Sequence, residues 1–232
     1  MASGEDSMFP FLAADRFDCA CKAFVRRVDA AGGAQSLGWL AVEYLRSEVD
    51  ASLQLENPIL RISKSASIPR APLENSNAIA TERIGSPRDL EEDVIEDDDQ
   101  ETLIRDGVDE EELTIDYDIA LSTSYHVPVM YFCLRETPQV GPAALDDIYN
   151  FLVPRQHQQS LRNNGVMGGI SFGYHPKSGI PAYFVHPCNT ASAMEAITGN
   201  KNIEPEDYLL TWLGLIGGCI NLSLPSRLFV GS

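Results

Sequence analysis

Two shortages narrow what this chain can be. No apolar run approaches the roughly 18 residues that a helix needs to cross a bilayer, so neither a membrane span nor stable membrane insertion is expected. Basic residues are scarce: 17 Lys and Arg stand against 34 Asp and Glu, giving a net charge of −17. Phosphate binding needs a basic footprint, so nucleic acid is not expected as a partner. Cysteine is also sparse, with five scattered residues, Cys19, Cys21, Cys133, Cys188 and Cys219. An odd and unpatterned set does not make a disulfide framework. The start of the chain carries Glu5 and Asp6 and lacks the basic-then-apolar order of a secretory signal. Together with reduced thiols, this points to the cytoplasm. No Cys/His set has zinc spacing either. Cys19 and Cys21 lie two apart on a helical stretch and point apart. His175, His186 and Cys188 lack a fourth ligand. Neither a metal nor a cofactor is expected.

The acidity is not spread evenly. Residues 82–118 hold half of the acidic residues and only three of the basic ones. With few aromatics, such a segment cannot bury enough apolar surface to offset its ordering entropy. Residues 63–112 are therefore expected to form a flexible, disordered acidic insertion. It divides the chain into residues 1–62, an N-terminal helix with the first strand or strands, and residues 113–232, the main core.

Residues 11–28 repeat apolar side chains at three- and four-residue spacing, including Phe17, Cys21, Phe24 and Val28, which predicts an amphipathic helix stopped by Gly32 and Gly33. Residues 36–45 read as a first strand, and residues 53–62 add a short one. Leu113, Ile115, Tyr117, Ile119 and Leu121 alternate as in a half-buried strand with its partner over 125–135. In that partner, Tyr125, Val127, Val129 and Tyr131 fall on one face, and His126, Met130 and Phe132 on the other. At least one of these faces is expected to be open to a partner protein. A helix over 143–152 ending at Pro154, strands over 166–172 and 180–185, and a last helix opening at Pro205 complete the order. The class is α+β: an antiparallel sheet of about four strands backed by helices.

The stretch Tyr183-Phe184-Val185-His186-Pro187-Cys188-Asn189-Thr190 organises the rest. A strand stops at a His-Pro turn, a thiol follows, and a helix begins over 191–197. Ser192-Ala193-Met194-Glu195 fits a capping box. Cys188 would then lie at the positive end of a helix, where a thiolate is favoured. His186 and Asn189, flanking it, are candidate supports. His175 could approach from the preceding turn, and Cys133 and Cys219 read as packing residues.

His186-Pro187-Cys188 resembles the active-site signature of the autophagy E2-like enzymes. Asn189-Thr190 after the thiol, and Gly179-Ile180-Pro181-Ala182-Tyr183-Phe184 before it, are most similar to the autophagy-related protein 10 family. The similarity continues in Ser124-Tyr125-His126-Val127-Pro128-Val129-Met130-Tyr131-Phe132 and in Tyr208-Leu209-Leu210-Thr211-Trp212-Leu213. It covers residues 114–225 well and the first 45 faintly. The resemblance implies a ubiquitin-conjugating-like fold. It also implies a transferase in which Cys188 takes the ubiquitin-like autophagy-related protein 12 as a thioester from an activating enzyme, autophagy-related protein 7. The cargo would pass to a lysine of the acceptor, autophagy-related protein 5. Conventional ubiquitin-conjugating enzymes place an asparagine where Cys188 stands, as His-Pro-Asn. Asn189, which follows the thiol, is a candidate to support the oxyanion, and the group that does so is left open by the sequence. Two alternatives remain: a sister enzyme resembling autophagy-related protein 3, which lipidates autophagy-related protein 8, and a non-catalytic module of the same fold.

Overall fold

The computed structural model describes residues 9–46, 57–69, 110–135, 141, 144–162, 169–199 and 201–229. The first helix, α1 (Ala14–Ala30), buries Phe17, Ala20, Cys21, Phe24 and Val28 on one stripe. Its carbonyls are closed by Ala31, Gly32 and Gly33, and the Gly33 N–H reaches Val28 O at 2.9 Å. Both glycines take positive φ there, 97° and 85°, which only a residue without Cβ adopts freely.

Six strands follow: β1 (Ala41–Leu45), β2 (Ile59–Pro69), β3 (Glu110–Leu121), β4 (Pro128–Leu134), β5 (Ile170–Tyr174) and β6 (Pro181–Val185). They form one antiparallel sheet in the order β1-β2-β3-β4-β6-β5. Between β4 and β5 come α2 (Leu145–Leu152) and α3 (Arg155–Arg162), and α4 (Thr190–Thr198) and α5 (Pro205–Ile216) follow β6.

The register fixes which side chains share a face. Leu60 pairs with Ile119 and Ile62 with Tyr117. Met130 pairs with Ile119 and Phe132 with Tyr117, and Tyr183 with Phe132. All of these are at most 2% exposed, and α1 and α5 share their cluster through Phe17, Phe24, Leu209 and Trp212. The Tyr117 hydroxyl donates to Ile220 O at 2.9 Å and that of Tyr208 to Pro10 O at 2.6 Å. These bonds satisfy the two phenols in the core.

The opposite face of the sheet is polar but not open. Arg61 forks onto both oxygens of Asp118 at 2.7 Å each, directly across the strand pair. Ser63 donates to Asp116 at 2.6 Å, and Arg135 also forks onto Asp116. The β5–β6 turn folds over this face and buries His175 to 4% exposure, with its Nε2 3.3 Å from Asp118 Oδ2. That separation suits an ion pair, but the Nε2–H is not aimed for a straight hydrogen bond. Burial alone would raise the Asp118 carboxyl; the Arg61 fork, and then His175, outweigh it and hold the group below its ordinary range. A carboxyl lowered by folding contributes stability that is complete above its unfolded value of about 3.9 and is lost as the pH falls through the folded value. Asp118→Asn should therefore lower stability by about 1–3 kcal/mol at pH 7 and flatten its dependence on pH below about 4. Denaturant midpoints measured between pH 3 and pH 7 check this.

Several expectations need correcting. The sheet has six strands, not about four, because β1 and β2 are full members of the ladder. The first strand starts only at Ala41, since Gln35–Leu37 is a 3-10 turn ended by Gly38 with φ 75°. Residues 63–69 and 110–112, assigned to the insertion, are strand: β2 and β3 pair continuously from Ile59–Ala120 to Pro69–Glu110. Long-range pairing there overrides a Ser-, Lys- and Glu-rich composition of weak strand preference. The expected disorder of the acidic segment concerns residues 70–109, which lie outside the described residues. The strand over 113–121 is buried on both faces, because the ion pairs and the folded turn cover Asp116, Asp118 and Ala120. Met130 and Phe132 are fully buried, and so are Val127 and Val129. Of the run 125–132, Tyr125, 43% exposed, and His126 are the side chains left exposed. Finally, α3 went unread because it carries a single buried apolar side chain, Leu161.

Candidate active site

Strand β6 delivers the chain to His186, whose backbone is still extended, at φ −66° and ψ 128°. Pro187 then opens a short 3-10 helix, Pro187–Asn189, that runs directly into α4. Proline fits this first position because its missing N–H would have no helical acceptor. The next amide, that of Cys188, donates to His186 Nδ1 at 3.2 Å. The histidine is therefore the side-chain cap of the turn that carries the thiol. The expected capping box does not form: Ser192 and Glu195 both lie inside α4, which begins at Thr190. Asn189 stands at the N-cap position without a side-chain cap bond and is half-buried.

Cys188 is exposed, in contrast to the other four cysteines. Cys21 is buried; burial and then the charge of Asp18 push its thiol far up. Burial also raises Cys133, helped by Asp118 and Asp116, and Cys219. Cys19 is half-buried, with Sγ 3.8 Å from Glu206 Oε1. A raised thiol is mostly protonated at neutral pH and is a poor nucleophile. Accessibility and the adjoining helix start both single out Cys188.

With Nδ1 engaged as an acceptor, the proton of a neutral His186 sits on Nε2. The same nitrogen cannot also take the thiol's proton while it holds the amide. The ring rests edge-on against Tyr125, with centroids 5.8 Å apart, and beside Phe184 at 6.2 Å. Phe184 touches Tyr131, which touches His175. An aromatic row thus runs along the outer face of the sheet and ends at the thiol. Tyr125 is the site neighbour that sequence reasoning did not assign to the active site. The β3–β4 turn brings it there, and no short-range pattern signals that contact.

His175 does not join Cys188. Its Nδ1 accepts from the amides of Lys177 and Ser178 and contacts the Ser178 hydroxyl at 3.1 Å, and its Nε2 faces Asp118. The histidine pins its own turn. His126, exposed, follows Tyr125 in the β3–β4 turn, and His157, half-buried, lies in α3. Among the described residues no cluster of His, Cys, Asp and Glu could hold a metal ion, and no helix is long and apolar enough to cross a membrane.

An antiparallel sheet backed by helices, with a lone exposed thiol where the last strand in the chain passes into a helix, defines an E2-like, ubiquitin-conjugating-like fold. More particularly, the chain belongs to the family described as autophagocytosis associated protein, active-site domain, whose model matches residues 16–227. It is 37% identical over 134 residues to the ubiquitin-like-conjugating enzyme ATG10 of Gibberella zeae, covering 57% of this chain and 55% of that one. It is 31% identical over 121 residues to the human protein of that name, covering 50% and 52%. With that of Dictyostelium discoideum it is 29% identical over 119 residues, covering 47% and 51%. The chain thus spans about half the length of the curated relatives it matches.

Proposed function

We propose that the protein is an E2-like transferase that carries a ubiquitin-like protein as a thioester on Cys188, as the names of its relatives suggest. The observation that supports this most is the exposed Cys188 at the β6–α4 junction, its amide held by His186. In the first step the Cys188 thiolate attacks the carbonyl of the thioester held by the activating enzyme. A tetrahedral intermediate collapses and the activating enzyme's thiol leaves. In the second step the unprotonated amine of an acceptor lysine attacks the new thioester. An amide forms, the amine's proton is lost, and the Cys188 thiolate departs.

Each neighbour has a part in this reading. His186 keeps the thiol's turn in place through Nδ1 and acts as a positioning residue, not as the base. Asn189, next to the thiol, donates to the oxyanion in both steps. The cargo is autophagy-related protein 12, the activating enzyme autophagy-related protein 7 and the acceptor autophagy-related protein 5, with the reaction in the cytoplasm. Asn189→Ala should slow both charging and transfer about 10²-fold, as followed by single-turnover gels of each step.

The test of the whole reading is to incubate the full chain with activating enzyme, ATP and either autophagy-related protein 12 or autophagy-related protein 8. A reductant-sensitive adduct with the former supports the proposal. An adduct with autophagy-related protein 8 alone transfers the protein to the lipidating branch. No adduct with either leaves a binding module.

A further inference from the structure

A groove of about 690 Å³, bordered by Glu195 of the helix that follows the thiol, is left without a role by the reaction as described. One wall is the lead-in to α1, with Phe9, Phe11 and Leu12; another is the β3–β4 turn, with Leu121 and His126; Glu195 of α4 closes the end. Phe11 is 44% exposed within it. The same two elements flank Cys188: α4 starts two residues after it, and the turn reaches His186 through Tyr125. The turn and the lead-in are tied together by the Leu12 N–H, which donates to His126 O at 2.7 Å.

Glu195 is the telling member of this lining. It is half-buried, yet among the described residues its carboxylate has neither a hydrogen-bond nor an ion-pair partner. Among the described residues it is also the groove's one carboxylate, and the lining holds no Lys or Arg. A partly desolvated, unpaired carboxylate on an apolar groove calls for a cation. Cys188 lies in the 3-10 turn Pro187–Asn189 that runs directly into α4, seven residues before Glu195 on one continuous helical run. The separation along the axis is about 10 Å. An attacking amine must come within about 3.5 Å of the thioester carbon, so Glu195 is too far away to hold that amine itself. Ten ångströms is about three residues of extended chain.

We propose that this groove seats an extended segment of the acceptor protein. Glu195 grips an Arg or Lys about three residues from the lysine that is acylated, and apolar side chains beyond it lie against Phe9 and Phe11. This rests on the reading of Cys188 as carrier and adds a specificity-determining residue to it.

Binding is measured by fluorescence anisotropy on the full, uncharged chain, so that the result does not depend on whether Cys188 can be loaded. The probes are two labelled peptides that share one lysine and an apolar flank, with arginine in one and glutamate in the other three residues from the lysine. The wild type should bind the arginine peptide about five-fold more tightly. Glu195→Gln should bring the ratio to near one and Glu195→Arg should invert it. Phe11→Ser should weaken both peptides alike. An arginine preference that survives Glu195→Arg, or a wild type that binds neither peptide at millimolar concentration, overturns the proposal. A wild type that binds as described but never forms a thioester would instead contradict the carrier reading.

Discussion

Cys188→Ala should abolish formation of the cargo adduct, with loss of at least 10³-fold in rate, while thermal unfolding stays within about 0.5 kcal/mol of the wild type. The side chain is exposed and makes no core contact, so its removal leaves no cavity. Cys188→Ser should give a different outcome. A serine ester is a poorer acyl donor than a thioester, because the alkoxide is the worse leaving group. The serine variant should therefore collect a slowly formed adduct that survives reductant and is cleaved by hydroxide. Non-reducing and reducing gels run side by side distinguish the two variants. Changing Cys19 or Cys219 instead should leave the charging rate within a factor of about two, since neither thiol is exposed beside a strand-to-helix junction.

The second large effect is on stability. Met130→Asp should cost about 3–5 kcal/mol and unfold much of the protein at 37 °C. Met130 is 0% exposed, pairs with Ile119 across the β3–β4 ladder and lies within the main core cluster. Met130→Leu, which nearly conserves volume, should cost under about 1.5 kcal/mol. Urea midpoints for the two variants make the comparison. Charging and transfer would fall together in the aspartate variant, because the whole sheet is affected.

Met130 also shows where sequence reasoning stops. Alternation in β3 announced which side chains meet the core, and Leu113 through Leu121 are buried as the period requires. The same period divided the 125–132 run into two faces, but it could not say that both are covered. The second cover is supplied by Arg61 and the folded β5–β6 turn, both distant in sequence, together with Arg135 at the end of the same run. Likewise, the composition of residues 63–69 reads as loop, and only pairing with β3 makes it strand. The helix 155–162 has no apolar stripe to reveal it.

The thiol was legible because a strand-forming run, a His-Pro break and a helix start lie next to one another in the chain. Its surroundings were less so. His186 caps the turn through an atom whose direction depends on the break at Pro187, which displaced the expected Ser192–Glu195 box. Tyr125, 61 positions before His186 in the chain, reaches the site through the β3–β4 turn. That turn needs His126 at φ 53°, a left-handed position uncommon for a side-chain-bearing residue. Nothing in the local sequence demands it. Glu195 was read as part of a cap and proves to line a groove.

The most direct test of the carrier role is mass spectrometry of the charged full-length chain, digested without reductant at mild acid pH. The account predicts a mass gain equal to the cargo minus one water, removed by thiol and mapped to the peptide that contains Cys188. A cargo bond mapped to Cys19, Cys21, Cys133 or Cys219, or an adduct that resists thiol in the wild type, would contradict it.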